Sequence, residues 1–252
     1  ILTGYNGEEA FLALPEEIEG FPVKAVADGF MKENKTVEGI AFPAGLETIG
    51  SEAFQSCSYL KRAELPAGLK EIKDLAFFGT GIETLKIPAS LESYSPSAFY
   101  GIKTVEVAEE NEKFRVEDNI LYEGSKLVLI GNENTGEFVV PSQVSEVCAY
   151  AGVYSQLSSI VLPSSVKRIG NHAFYGAESL RKAVISEGTE EIRRSAFSKC
   201  IMLEEVVIPQ TVKSIGVQAF SGCSSLRTVT ISRDCEIGEG AFDAGVKVEY
   251  YD

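Results

Sequence analysis

The chain has 252 residues, of which 44% are hydrophobic, and carries 37 acidic against 23 basic residues for a formal charge of −14. That apolar content is enough to fill a core and excludes a disordered chain, while the acidic excess works against nucleic acid, whose backbone is held mainly by clustered Lys and Arg. No run approaches the ~18 consecutive apolar residues of a membrane span, and the opening residues do not read as a secretory leader. The charge is uneven: residues 1–136 hold 23 acids and 12 bases, whereas residues 137–252 hold 14 and 11.

A fixed internal period decides the architecture before any local propensity does. The dipeptide Ala-Phe ends at Phe54, Phe77, Phe99, Phe174, Phe197, Phe220 and Phe242, with spacings of 23, 22, 75, 23, 23 and 22. Ala149-Tyr150 is taken to divide the long interval. An aliphatic residue followed by proline recurs at Leu65-Pro66, Ile87-Pro88, Leu162-Pro163 and Ile208-Pro209. An aliphatic-glycine pair recurs at Ile49-Gly50, Ile169-Gly170, Ile215-Gly216 and Ile237-Gly238.

In chain order, residues 1–20 are expected to cap one end, because an unpaired terminal coil exposes both apolar surface and a sheet edge. Each coil then supplies one short strand. In Leu203, Val206 and Ile208 the last two share one face, and Pro209, which has no N–H for the ladder, ends the strand. The glycine of Ile215-Gly216 is expected to allow a bend, and the Ser or Asn just ahead of Ala-Phe to start a short helical turn. Residues 108–136 break the period. Ile120-Leu121-Tyr122, Glu123-Gly124-Ser125 and Lys126 to Ile130 read there as a β-hairpin that takes one coil's place in the stack. Val246 to Tyr251 is expected to form a final strand within a C-terminal cap at 243–252. The whole predicts one solenoid over residues 1–252, α/β or mainly β. It has about nine coils of ~23 residues, a curved parallel sheet, short helical turns and the hairpin insertion.

The unit Ile208-Pro209-Gln210-Thr211-Val212-Lys213-Ser214-Ile215-Gly216-Val217-Gln218-Ala219-Phe220-Ser221-Gly222-Cys223-Ser224-Ser225-Leu226 resembles the BspA-like leucine-rich-repeat family, and the resemblance runs from about residue 14 to 242. The segment Asn111-Glu112-Lys113-Phe114 to Leu121-Tyr122 resembles an insertion common in that family. The resemblance implies a bacterial cell-surface or secreted protein with adhesion or host-protein binding as its role. It brings no catalytic residues, no cofactor and no metal.

Catalytic arrangements find little support in the residues themselves. The one histidine, His172, sits just ahead of Ala173-Phe174, where other coils carry Glu52, Ser195 and Gln218, and reads as a surface loop residue. Cys-x₂-Cys and His-x₃-His spacings are absent, and no two of the 37 acids stand out as a glycosidase pair. Cys57, Cys200 and Cys223 each fall three residues after the Phe of Ala-Phe, a slot for a small buried side chain, and are expected to be free thiols. Charges alternate from coil to coil at Glu38, Lys61, Glu83 and Lys103, at Arg181, Glu204 and Arg227, and at Lys167, Glu190 and Lys213; they read as cross-strand pairs.

One stripe differs. The outward position between the two buried strand residues is Val161, Val184, Val207 and Thr230 in the second half, against Glu64, Lys86 and Glu106 in the first. With Lys182, Glu205 and Thr228 two positions earlier, it is the candidate contact surface on the concave sheet, where solenoids hold partners, although β-branched residues also simply suit strands. The function expected is a non-catalytic extracellular module binding a protein or glycan. The alternatives are a passive spacer within a larger surface protein and, more remotely, a carboxylate-based hydrolase.

Overall fold

The computed structural model describes residues 1–251 and divides into two compact units, Ile1–Leu121 and Tyr122–Asp252. Asp252, the last residue of the expected C-terminal cap, lies outside the described residues.

Both units are β-solenoids in which each coil contributes one longer strand and one of two residues. In the first unit the two-residue strands Ala25–Val26, Thr48–Ile49, Glu71–Ile72 and Ser93–Tyr94 pair in parallel, so Val26, Ile49, Ile72 and Tyr94 form one row. The longer strands form two ladders: Phe11–Ala13, Gly39–Ala41 and Arg62–Glu64 in one, Thr84–Ile87 and Thr104–Val107 in the other. Leu2 bridges Val26, and a small antiparallel hairpin pairs Glu17–Ile18 with Phe21–Pro22.

In the second unit the corresponding row runs Leu127, Val147, Ile169, Ile192, Ile215 and Ile237, buried except at the exposed Ile237. Its longer strands are Thr135–Val139, Gln156–Leu162, Lys182–Ile185 and Glu205–Val207 in one parallel ladder, with Thr228–Ile231 and Lys247–Tyr250 in another. The insertion ends in the hairpin strands Ile120–Glu123 and Lys126–Ile130, and Lys126–Ile130 enters the ladder as a coil does.

The segment around Ala-Phe differs from the short helical turn expected. Helix is confined to one 3₁₀ turn, Pro96–Phe99, among the described residues. Elsewhere a left-handed residue stands just before the Ala and a second stands two after the Phe, as in Glu52 (φ 57°) and Ser56 (φ 60°) or Ser195 (φ 52°) and Lys199 (φ 61°). A left-handed residue every fourth position prevents a right-handed helix from propagating. Alternate amides of the turn instead donate to the next coil: Glu52 to Asp74 (2.7 Å), Phe54 to Ala76 (2.9 Å) and Ser56 to Phe78 (2.7 Å). The buried backbone is thereby satisfied without regular secondary structure.

The phenylalanines of this slot stack along the solenoid, buried as far as Phe220 and half-buried at Phe242. Phe174, Phe197, Phe220 and Phe242 follow one another with ring centroids 5.1, 5.2 and 5.2 Å apart and planes within 17°. Phe54 and Phe77 do the same at 5.3 Å in the first unit.

Three sequence readings shift. The amide bonds of Gly152 to Ala173 and of Phe174 to Ala196 put Gly152, not Tyr150, in the phenylalanine slot. A Cβ at Gly152 would lie 2.8 Å from Phe174 Cδ1, so that ring occupies the room a larger side chain would need. An earlier coil carries Gly29-Phe30-Met31, with Met31 in the same slot. At Gly170, Gly216 and Gly238 the constraint is close approach rather than a bend, since a Cβ would lie 2.4–2.5 Å from a backbone nitrogen of the preceding coil.

Candidate interaction surface

The four-stranded ladder of the second unit sets its outward residues in register. Val139 stands opposite Val161, Val161 opposite Val184, and Val184 opposite Val207. Neighbouring parallel strands lie about 4.8 Å apart, so the four valines form a row of about 14 Å. Val139 and Val207 are 58% and 40% exposed, and Val161 and Val184 are half-buried. The flanking Ile160, Leu162, Ala183, Ile185, Val206 and Ile208 are buried, as alternation along a strand requires.

Two positions earlier on the same face, Glu137, Ser159, Lys182 and Glu205 form a parallel row. Lys182 and Glu205 are exposed and ion-paired at 2.7 Å. Thr228 and Thr230 are not brought into these rows by the strand pairing. Their strand pairs with Lys247–Tyr250, which sets Thr228 against Lys247 and Thr230 against Glu249. Val139 was missed, although Val140-Pro141 repeats the aliphatic-proline signal of Leu162-Pro163.

The alternating charges resolve unevenly. Glu83 meets Lys103 at 3.0 Å, Arg181 meets Glu204 at 3.0 Å and Glu190 meets Lys213 at 2.7 Å. Glu38 and Lys61, and the row Glu64, Lys86 and Glu106, make no ion pair with one another among the described residues. The most strongly held carboxylate is one the alternation did not single out: Glu47 lies between Lys24 (2.8 Å) and Lys70 (3.0 Å). Hydrogen bonds from Lys24 and Lys70, then their charges, lower its pKa from the ordinary 4.5 to about 2.

His172 sits at the left-handed turn position (φ 55°), stacked on Tyr150, and burial followed by the Arg194 charge lowers its pKa. All five cysteines are free. Cys57, Cys200 and Cys223 each donate to the carbonyl of the phenylalanine slot one coil back: Met31 (3.0 Å), Phe174 (3.1 Å) and Phe197 (3.1 Å). Burial raises the pKa of Cys57 and Cys200. Among the described residues no three His, Cys, Asp or Glu side chains are grouped to hold a metal ion, and no helix is long and apolar enough to cross a membrane.

Solved structures share this fold. A leucine-rich cell-surface protein from Faecalibacterium prausnitzii is 22% identical, with a TM-score of 0.70 over 99% of this chain and 90% of its own. The pneumococcal vaccine antigen PcpA is 22% identical, with a TM-score of 0.81 over 100% and 72%. A leucine-rich-repeat protein from Eubacterium ventriosum is 19% identical, with a TM-score of 0.58 over 98% and 93%. A search of curated proteins finds no match. Six copies of the BspA type leucine-rich-repeat region match residues 26–131 and 145–250. The chain therefore belongs to the BspA-type leucine-rich-repeat family.

Proposed function

We propose that the chain is a non-catalytic binding module of the bacterial cell surface, and that it docks a protein or glycan on the outward sheet face of the second unit. The observation that carries this reading is the row Val139, Val161, Val184 and Val207, four outward-pointing apolar side chains in strand register. Charged and polar residues at the same slot of the first unit, Glu64, Lys86 and Glu106, support it, since the repeat itself accepts them. Lys182 and Glu205 border the row and supply polar contacts at its rim. The cell-surface placement rests on the description of the Faecalibacterium relative.

The experiment is a screen of the purified chain against extracellular-matrix proteins and glycans, repeated with Val184→Arg. The reading expects a partner whose binding Val184→Arg abolishes while the fold persists. A partner bound equally by both would move the contact surface elsewhere. Absence of any partner would favour a spacer role, in which the valines only suit the strands.

A further inference from the structure

The turns of the second unit carry a second cluster, remote in register from the valine row. Two successive coils place Tyr150, Tyr154, His172 and Tyr175 around the buried Ala-Phe slot, where the next two coils have Ser195, Ser198, Gln218 and Ser221. Tyr150 and His172 stack at 5.1 Å with planes 3° apart; His172 meets Tyr175 at 5.8 Å, and Tyr175 meets Tyr154 at 5.9 Å and 85°. The Tyr154 ring rests on Gly176, where a Cβ would lie 2.3 Å from its Cε1, and the residue is 38% exposed. His172 Nδ1 is enclosed with no hydrogen-bond partner.

Two cations border these rings. Lys199 Nζ stands 5.2 Å from the Tyr175 ring centroid and hydrogen-bonds to Tyr175, and the Arg194 charge acts on His172, whose amide donates to the Arg194 carbonyl at 2.9 Å. Arg181, Lys182, Arg193 and Lys213 of the same unit are each held by a glutamate at 2.7–3.0 Å. Arg194 and Lys199, like Lys167, Arg227 and Arg233, are exposed and make no such ion pair among the described residues, but only these two stand beside the cluster. Two exposed cations without a carboxylate partner thus stand beside one aromatic cluster, where an anion from outside can reach them.

We propose that Tyr150, Tyr154, His172 and Tyr175, with Arg194 and Lys199, form a site for an anionic saccharide bearing a carboxylate or a sulfate. A sugar ring has an apolar C–H face and a polar rim, which suits aromatic side chains that carry hydroxyl or imidazole groups at their edges. The anionic group takes charge-assisted hydrogen bonds from Lys199 and, in bidentate form, from Arg194. Rings already packed against one another lose little freedom on binding. Size favours a sugar over a protein, since a protein partner covers about 800 Å² per side and four rings on two coils span only a fraction of that.

Calorimetric titration of the intact chain with 3′-sialyllactose, 3′-sulfolactose, lactose and inorganic sulfate tests the site. Either anionic sugar should bind, and comparing the two identifies the anion. Lactose and inorganic sulfate should each bind at least about tenfold more weakly, because each lacks one half of the recognition, a difference of about 1.4 kcal/mol. Lys199→Glu and Tyr154→Ala should each weaken the anionic sugar by about tenfold or more, as truncation at a central contact does. Lys199 is exposed, so its variant keeps the test decisive if Tyr154→Ala unfolds. Val184→Arg should leave this binding unchanged, which separates it from the sheet-face site. Binding of neither sugar, equal binding of lactose or sulfate, or indifference to Lys199→Glu would each overturn the assignment.

Discussion

At the sheet slot between the buried strand residues, the first unit carries Ala41, Glu64, Lys86 and Glu106, and the second carries Val139, Val161, Val184, Val207 and Thr230. The inward neighbours are equivalent: Ala63, Leu85 and Val105 are buried in the first unit as Ile160, Ala183 and Val206 are in the second. Stacking fixes the inward residues, because each coil buries its apolar face only against its neighbours. It leaves the outward residues open, so the contrast between charge and valine is not a requirement of the fold. The ladders differ too. The first unit's longer strands part between Arg62–Glu64 and Thr84–Ile87, beneath a hollow of about 520 Å³ that Glu64, Lys86 and Glu106 help to line. The second unit keeps four strands in one ladder beneath its valines, in continuous register from Glu137 onward.

The largest effect that tests this division lies inside the core. Phe197 is fully buried between Phe174 and Phe220, and Phe197→Ala should cost about 3–5 kcal/mol, from lost transfer energy and the cavity left behind. Denaturant unfolding measures the total. Hydrogen exchange should show the loss centred on the coils of the second unit, and uniform loss over both units would contradict nearest-neighbour stacking.

Thiol reactivity reads the core of both units in one experiment. Denatured, non-reduced protein should alkylate at all five cysteines, whereas native Cys57, Cys200 and Cys223 should react slowly, because all three are shut off from solvent and burial also suppresses the thiolate at Cys57 and Cys200. Cys235, only partly buried, should be modified first. Rapid native labelling at Cys200 would mean that the stack opens locally.

Surface charge distinguishes the units on a smaller scale. Glu47 in the first unit has two lysine partners, and Glu190 in the second has one close partner, Lys213. Both carboxyls titrate below the ordinary 4.5, Glu47 near 2. The folded pKa is depressed, so the stabilisation is present above pH 4.5 and is lost as pH falls through about 2. Side-chain carboxyl NMR should show the Glu47 midpoint rising in Lys24→Ala and in Lys70→Ala, each by part of the total. An unmoved midpoint in either variant would remove that lysine from the pair.

How much of this was legible follows from which interactions repeat. Ala-Phe, Ile-Gly and aliphatic-proline mark inward or closely packed slots whose residue type is forced, so period and fold followed from them. Gly152 was illegible because the slot is filled from the next coil by Phe174, a substitution that only three dimensions reveal. The turn conformation was hidden for a different reason. Left-handed backbone at Glu52, His172 and Lys199 is held by amide bonds to neighbouring coils, and these residue types give no local sign of it. Of the surface residues, the three valines at 23-residue steps were visible, but Val139 follows the irregular insertion and pairs through a strand bulged at Gly136/Glu137. Thr228 and Thr230 continue the spacing but sit on a strand paired with Lys247–Tyr250.

The central claim is that the second unit presents its valines to solvent for contact rather than for the fold, and Val184→Arg tests it most directly. Half-buried in the middle of the row and flanked by Val161 and Val207, Val184 would gain a charge that projects into water. Chemical denaturation of the variant should show a stability change under about 1 kcal/mol, as for surface substitutions elsewhere. A loss above about 3 kcal/mol would place Val184 among the packed residues and contradict the outward assignment of the whole row.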